Sequence, residues 1–514
     1  MNALIIHGHF YQPPRENPWT GVVEAEPSAH PFHDWNERIT AECYAANAQA
    51  RVDGAAGPTV NNYARISFNF GPTLLRWMEH YHPETYELIL EADRESVRER
   101  DGHGNAIAQA YGHAILPLCN ERDRLTQVLW SIADFRHRFG REPESLWLPE
   151  TACNDATLAV LIEQRLRFAI LAPSQAERYR SLNGGEWHSV ADSSIDVSQA
   201  YRYFHRDGSG RSIAIFFYDG PLARAIAFEK ALVSSEALVR MFKQAALGPG
   251  RGGPFINIAI DGETYGHHFK FGDLCLAHTV EIEAPQAGFW LTNYGQYLDR
   301  RPPEFEVEIR KGPDGEGTAW SCAHGVGRWI RDCDCHTGGE PGWNQSWRGP
   351  LRNALDILRD EAAAAFEATR GELFVDPWAA RDEAISLILD ERRSREEFLR
   401  AHAPRDLTRE EERRALLLLE MQRDSLLMFT SCGWFFNDIS GLEPIQVLKY
   451  ACRVIDLMDH LTLPSPRRRF LEILAEAKSN RPELGNGADI YRKLVEPTNP
   501  FFNAEKEELA GTLA

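Results

Sequence analysis

The feature that most restricts how this chain folds is a repeated alternation, across residues 1–300, of short apolar runs with helical patterns. Residues 3–6, 66–69, 146–148, 168–172, 213–218 and 255–260 read as buried strands, and residues 121–139 and 154–165 carry helical periodicity. Strand–helix alternation of this kind predicts an α/β domain around a parallel sheet, open or closed. In either form the chemistry belongs at the carboxyl ends of the strands.

The texture changes after residue 300. Residues 301–317 hold Pro302, Pro303 and Pro313 in a mixed-charge stretch, which reads as a linker. A Trp-, Cys- and Gly-rich segment follows to residue 350. Beyond it Leu351, Leu355, Leu358, Ala362 and Ala365 share one helical face. Thr408 and Glu411 make a capping-box signature, and Pro444 suits a first helical turn. The expected organisation is a catalytic α/β domain over 1–300, a linker and cleft segment over 301–350, and a helical domain over 351–514.

The balance of 75 acidic against 56 basic residues leaves a net charge of −19, which argues against a nucleic-acid backbone as partner. The nine cysteines are odd in number and scattered, unlike a disulfide framework. The start, MNALIIHGHF, has no basic region and no apolar stretch long enough for a signal peptide, and no run is long enough to span a membrane. These features predict a reduced, cytoplasmic protein with no membrane partner.

Two carboxylates fall at predicted strand ends: Glu150 in WLPET and Asp261 in IDGETYGHH. Glycosidic bond cleavage needs such a pair, one group ionised to attack the anomeric carbon and one holding a proton for the leaving oxygen. Glu263, two residues beyond Asp261, is taken as a substrate-binding residue that also raises the proton affinity of Asp261 if its charge is close, and as structural if it faces the other side of the barrel wall. Trp147, Tyr265 and Trp320 are candidate aromatic walls for a sugar. Of the two histidines that follow Asp261, His267 is taken as the one that reaches the sugar and His268 as structural.

His7 and His9 share one side of an extended chain because side chains alternate there. On residue chemistry alone they serve equally as metal ligands beside a carboxylate, as in deacetylase-like barrels, or as hydrogen-bond partners of sugar hydroxyls. A non-catalytic glycan-binding protein is a further alternative, against which the carboxylate pair speaks. Cys322, His324, Cys333, Cys335 and His336 supply five candidate metal ligands, but without the paired Cys-x-x-Cys spacing of a zinc ribbon they are read as loop residues near the pocket.

Taken together these segments resemble glycoside hydrolase family 57. HGHFYQPP, GHAILPL with His113, WLPE and IDGETYGHH resemble its first four motifs in order, and NFGPTLLRWMEHYHPETY, LAPSQA, FYDGPLARAIAF and LTNYGQYL are similar to further family segments. The resemblance implies a distorted TIM-like (β/α)7 barrel followed by a mostly helical domain. It implies double displacement on α-glucosidic bonds without a metal or other cofactor, with Glu150 as nucleophile and Asp261 as general acid/base. It favours sugar contacts for His7, His9 and His113. SWRGPLR and CGWFFNDISGLEP resemble a subgroup with a C-terminal domain of undefined function. SCAHGVGRW stands near the place of the fifth motif, and no catalytic role is assigned to it.

Overall fold

Seven strands run parallel and in chain order around a barrel. They are β1 (Asn2–Phe10), β2 (Ser67–Phe70), β3 (Ala108–Gln109), β4 (Leu146–Trp147), β5 (Phe168–Leu171), β6 (Ser212–Phe217) and β7 (Phe255–Asp261). This is a computed structural model, and it describes residues 2–52, 57–248, 253, 255–389 and 395–500. The end of the expected helical domain, 501–514, lies outside the described residues.

β1 pairs with β7 in the register Ala3↔Phe255 to His9↔Asp261, and with β2 in the register His7↔Ser67 and His9↔Asn69. A single parallel bridge, Phe68↔Ala106, leads to β3, which pairs with β4 at Ala108↔Leu146. Another bridge, Ser145↔Phe168, leads to β5, and β5 pairs with β6. The last seam is the thinnest. There the Asp219 amide donates to the Asn257 carbonyl at 2.7 Å, and no ladder forms because the other edge of β6 is taken by the antiparallel strand Ala200–Phe204. The result is the distorted (β/α)7 barrel that the family resemblance implies, a closed form of the parallel sheet that the strand–helix alternation predicts. β3 escaped the sequence reading because it is two residues long, one of them polar.

The interior follows the period of two. Ala3 and Ile5 of β1 and Phe255 and Ala259 of β7 pack with Trp147, Phe168, Ile170, Phe216, Tyr294 and Tyr297 in one buried cluster. Toward the carboxyl ends the same faces turn polar, through His7 and His9 on β1 and Asp261 on β7. An apolar plug below thus supports a polar layer above.

The chain divides into two compact units, the first made of residues 1–12, 25–111 and 134–321, the second of 13–24, 112–133 and 322–514. The seven barrel strands lie wholly in the first, which runs past residue 300 to Ser321. The second is helical, with long helices Arg348–Glu367, Arg409–Leu427 and Leu442–His460. The capping box forms as expected: the Thr408 hydroxyl accepts from the Glu411 amide at 3.3 Å and the Glu411 carboxylate from the Thr408 amide at 2.8 Å. Among the described residues no helix is long and apolar enough to cross a membrane.

Buried Asn257 holds the thin seam: its amide donates to the Phe217 carbonyl at 3.2 Å and its oxygen accepts from the Tyr294 hydroxyl at 2.7 Å. Asn257→Ala leaves both partners unsatisfied. It is expected to lower the unfolding free energy by about 3 kcal/mol, read by urea denaturation followed through tryptophan fluorescence. A loss below about 1 kcal/mol would show that packing alone closes the barrel.

Candidate active site

Glu150 leaves β4 through an unfavourable backbone. Pro149 opens a single turn in which Glu150 has φ 59° and Thr151 φ 50°, the left-handed region that side chains avoid. Buried Gln175, at the end of β5, holds this turn in place. Its Oε1 accepts from the Ala172 amide at 2.8 Å and the Thr151 hydroxyl at 2.9 Å, while its Nε2 donates to the Thr151 carbonyl at 2.8 Å and the Thr318 carbonyl at 3.0 Å. The segment around Thr318 then runs alongside. Cys153 and Thr318 exchange amide–carbonyl hydrogen bonds of 2.9 and 3.0 Å, and the Trp320 amide donates to the Glu150 carbonyl at 3.0 Å. This alignment delivers two donors to one carboxylate oxygen, Glu150 Oε2: Trp320 Nε1 at 3.0 Å and the Ser321 hydroxyl at 2.6 Å. Both stabilise its negative charge and fix its direction.

Asp261 ends β7 directly beside His9 of β1. Its side chain is open to solvent, yet it is closely surrounded by protein, as a group at the floor of a cleft is. That desolvation, followed by the negative charges of Glu263 and Glu150, holds its pKa well above the usual carboxylate range. Glu263 is buried behind it. One Glu263 oxygen accepts from the Tyr44 hydroxyl at 2.6 Å and the Tyr11 amide at 2.9 Å. Burial pushes its pKa up to about 7 against these hydrogen bonds. Gly262 between the two acids is required by packing, because a Cβ there would stand 2.3 Å from the Phe10 ring. Glu263 is therefore a neighbouring charge for Asp261, and the expectation that it contacts the sugar is not supported.

The histidines of β1 form a packed layer. The His7 ring, fully buried, has Nδ1 3.0 Å from the Ser67 hydroxyl and Nε2 3.0 Å from Asn69 Oδ1. Asn69 Nδ2 turns to His9 Nδ1 at 2.9 Å and to Gln109 Oε1 at 2.7 Å. Trp147, 1% exposed, stacks on both imidazoles with ring centroids 4.8 and 4.9 Å away. Burial drives both histidines down to a pKa of about 3, so they are neutral. His7 has both nitrogens committed to protein partners, which corrects its assignment as a sugar contact and disfavours a metal there. Trp147 is likewise the floor under the histidines and not a cleft wall.

Other expected site residues are placed differently. Tyr265 is buried, its carbonyl accepting from Asn47 at 2.6 Å, so it is no sugar wall. His267 is partly buried and paired through Nδ1 with the Glu42 carboxylate. His113 belongs to the second unit, where it is buried with Nδ1 2.7 Å from the Ser431 hydroxyl. Trp320 is half-buried against Trp147 and Tyr218, and its main contribution is the hydrogen bond to Glu150. Asn69, Gln175, Ser321 and Tyr44 were not singled out from sequence. Asn69 and Gln175 do lie in the NFGPTLL and LAPSQA segments quoted above.

A parallel barrel with two carboxylates of unlike environment at the ends of its strands is an arrangement that glycosidic bond cleavage can use. The chain belongs to glycosyl hydrolase family 57, whose sequence model matches residues 12–303, more than half of its length. A second model, described as "Domain of unknown function (DUF3536)", matches residues 343–504. Among curated proteins, alpha-amylase 1 of Dictyoglomus thermophilum is 24% identical over 107 residues, 21% of this chain and 15% of that relative's length. Among solved structures, an exo-type maltose-forming amylase from Pyrococcus sp. ST04 superposes with a TM-score of 0.66 at 14% identity, covering 100% of this chain and 94% of that one. A family 57 branching enzyme from Thermococcus kodakaraensis gives a TM-score of 0.54 at 15% identity over 94% and 95%. At these identities the structural likeness shows the fold.

Ser321→Ala removes the shorter of the two hydrogen bonds to Glu150 without disturbing the backbone alignment. It is expected to cut turnover about tenfold, or about 1.4 kcal/mol, with the melting temperature unchanged. Unaltered turnover would mean that Trp320 alone orients the carboxylate.

Proposed function

We propose that this enzyme is a retaining glycoside hydrolase or transglycosylase acting on α-glucan-type oligo- or polysaccharide, with Glu150 as nucleophile and Asp261 as general acid/base. The observation that carries this reading is the contrast between the two carboxylates. Glu150 accepts two hydrogen bonds that favour its charge. Asp261 is desolvated and faced by negative neighbours, which favours its proton. Such a divergence separates an attacking group from a proton donor.

Glu150 attacks the anomeric carbon while Asp261 gives its proton to the departing glycosidic oxygen, leaving a β-glycosyl ester on Glu150. Ester formation removes the Glu150 charge, one of the causes of the high proton affinity of Asp261. Having given up its proton, Asp261 is left as the carboxylate, and with the Glu150 charge gone it stays ionised until it takes a proton from water or an acceptor hydroxyl. That oxygen attacks the anomeric carbon, Glu150 departs, and net α-configuration is retained. The α-glucan assignment is supported by family membership and by the relatives, an alpha-amylase, a maltose-forming amylase and a branching enzyme.

Glu150→Gln is expected to reduce turnover about 10⁴-fold or more while the protein stays folded. Azide added to Glu150→Ala is expected to yield a β-glycosyl azide. An α-azide, or full activity of the Gln variant, would overturn the assignment. The assay is incubation with maltooligosaccharides, amylose and glycogen, with product lengths and linkages read by chromatography and NMR. Shortening, redistribution and new branches separate hydrolase, transferase and branching activity, and no change on any of them would sink the α-glucan reading.

The acid must be protonated for the first step, so kcat/KM falls as pH rises through the Asp261 pKa. Glu263→Gln keeps an oxygen acceptor for Tyr44 and Tyr11 but removes a negative neighbour. The alkaline limb is expected to move to lower pH by about one unit. A limb that stays in place would show that Asp261 does not sense Glu263, or that another group is the acid.

A further inference from the structure

We propose that Cys322, His324, Cys333 and Cys335 bind one zinc ion in a closed, structural site. Their ligand atoms all lie within 4.8 Å of one another, and among the described residues no other group of three or more such side chains does so. Three of the six spacings match a tetrahedron's edges. Cys322 Sγ is 3.9 Å from Cys333 Sγ and 3.8 Å from Cys335 Sγ, and Cys335 Sγ is 3.6 Å from His324 Nδ1. Zinc bonds of about 2.3 Å to sulfur and about 2.05 Å to nitrogen give S···S edges of about 3.8 Å and S···N edges of about 3.6 Å. A disulfide requires about 2.05 Å, and all nine cysteines are free thiols.

The backbone is shaped to present these ligands. Asp334, at φ 61°, reverses the chain between Cys333 and Cys335, and Gly325, at φ 76°, does so just after His324. Gly327 lets the two arms approach, since a Cβ there would stand 3.2 Å from that of Cys333. His336 is not part of the group: its ring nitrogens do not converge with the other four ligand atoms, and its Nδ1 is 2.9 Å from the Gly338 carbonyl.

Charge supplies an independent argument. Arg348 and Arg328 are buried, and Arg348 donates to the Cys335 carbonyl at 2.8 Å. Among the described residues neither guanidinium forms an ion pair with a carboxylate. Asp332 lends Arg348 some negative charge, but burying two cations with so little counter-charge is costly. Three thiolates and an imidazole around zinc carry a net charge of −1 and provide that counter-charge beside both arginines. Three sulfurs and one nitrogen suit zinc, and four protein ligands leave no position for a catalytic water. The five candidate ligands taken from sequence as loop residues thus resolve into four ligands and one bystander. Cys322 directly follows Ser321, so the ion would fix the backbone next to a hydrogen-bond donor of Glu150.

The test is elemental analysis of the full chain purified without chelator, with cobalt(II) substituted for zinc. One zinc per chain is expected, and the cobalt form should show thiolate charge-transfer bands and intense tetrahedral d–d absorption. Removal of the metal should lower the melting temperature by about 5 °C, and returning zinc should restore it. Cys333→Ser should lose the metal; if it does not fold, the zinc content and cobalt spectrum of the native protein decide. Less than about a tenth of a zinc per chain with none taken up by the metal-free protein, a cobalt spectrum without thiolate bands, or a disulfide among the three cysteines would each overturn the proposal. These readouts do not depend on whether Glu150 is the nucleophile.

Discussion

The in-register parallel pairing of β1 with β7, which sets His9 against Asp261, is the interaction on which the rest of the barrel site depends. Side chains alternate along a strand, so a slip of one residue would carry Asp261 out of the cleft and put Ile260 in its place. The same register lines His7 and His9 on the inner face, where Trp147 stacks on both rings and Asn69 hydrogen-bonds to both. Their burial has an electrostatic consequence. An imidazolium at position 9 would stand on the strand next to Asp261 and favour its ionised form. Depressed to a pKa of about 3, His9 stays neutral and leaves the high proton affinity of Asp261 intact.

The second carboxylate is placed by a different device. A left-handed conformation at two successive non-glycine residues, Glu150 and Thr151, persists only where the surroundings over-determine it. Gln175 does this with all of its polar capacity, joining the end of β5 to the turn after β4 and to Thr318. Because the Thr318–Trp320 backbone is tied to the same turn, the donors to Glu150 are positioned by the strain-holding network itself. Strain, clamp and hydrogen-bond donors therefore form one unit, distinct from the sheet register that places Asp261.

The strands with long apolar runs were legible in the sequence, as were the two carboxylates at their ends, because both follow from local pattern. What local pattern does not carry is burial. His7 and Trp147 have the chemistry of sugar contacts, but inward-facing positions on different strands of the barrel spend that chemistry on each other. Tyr265 and Glu263 face the same limit, since residues following a strand end turn either into the cleft or behind it, and here Tyr44 and Asn47 hold them behind. Ser321 was missed because its role arises from pairing of segments more than 160 residues apart. The cysteine group lacked a familiar spacing, and its convergence depends on two left-handed turns that residue types alone do not announce.

The helical unit gains a physical rationale from that cysteine loop. SWRGPLR and CGWFFND are far apart in sequence, yet their buried polar atoms are spent on each other and on the loop. Arg348 reaches the carbonyls of Cys335, Phe435 and Phe436, and Trp434 Nε1 donates back to the Arg348 carbonyl at 3.2 Å. Trp329 Nε1, within the loop, donates to the Ser431 carbonyl at 3.1 Å, and Arg328 to the Phe435 carbonyl at 2.9 Å. A unit meant only to bury apolar helix faces has no use for two interior guanidiniums, whose desolvation a hydrocarbon core would avoid. They are intelligible as the frame of an anionic centre. The segment that begins one residue after Ser321 is then held from within by a metal and from without by arginines, a more rigid arrangement than thiol packing alone would produce.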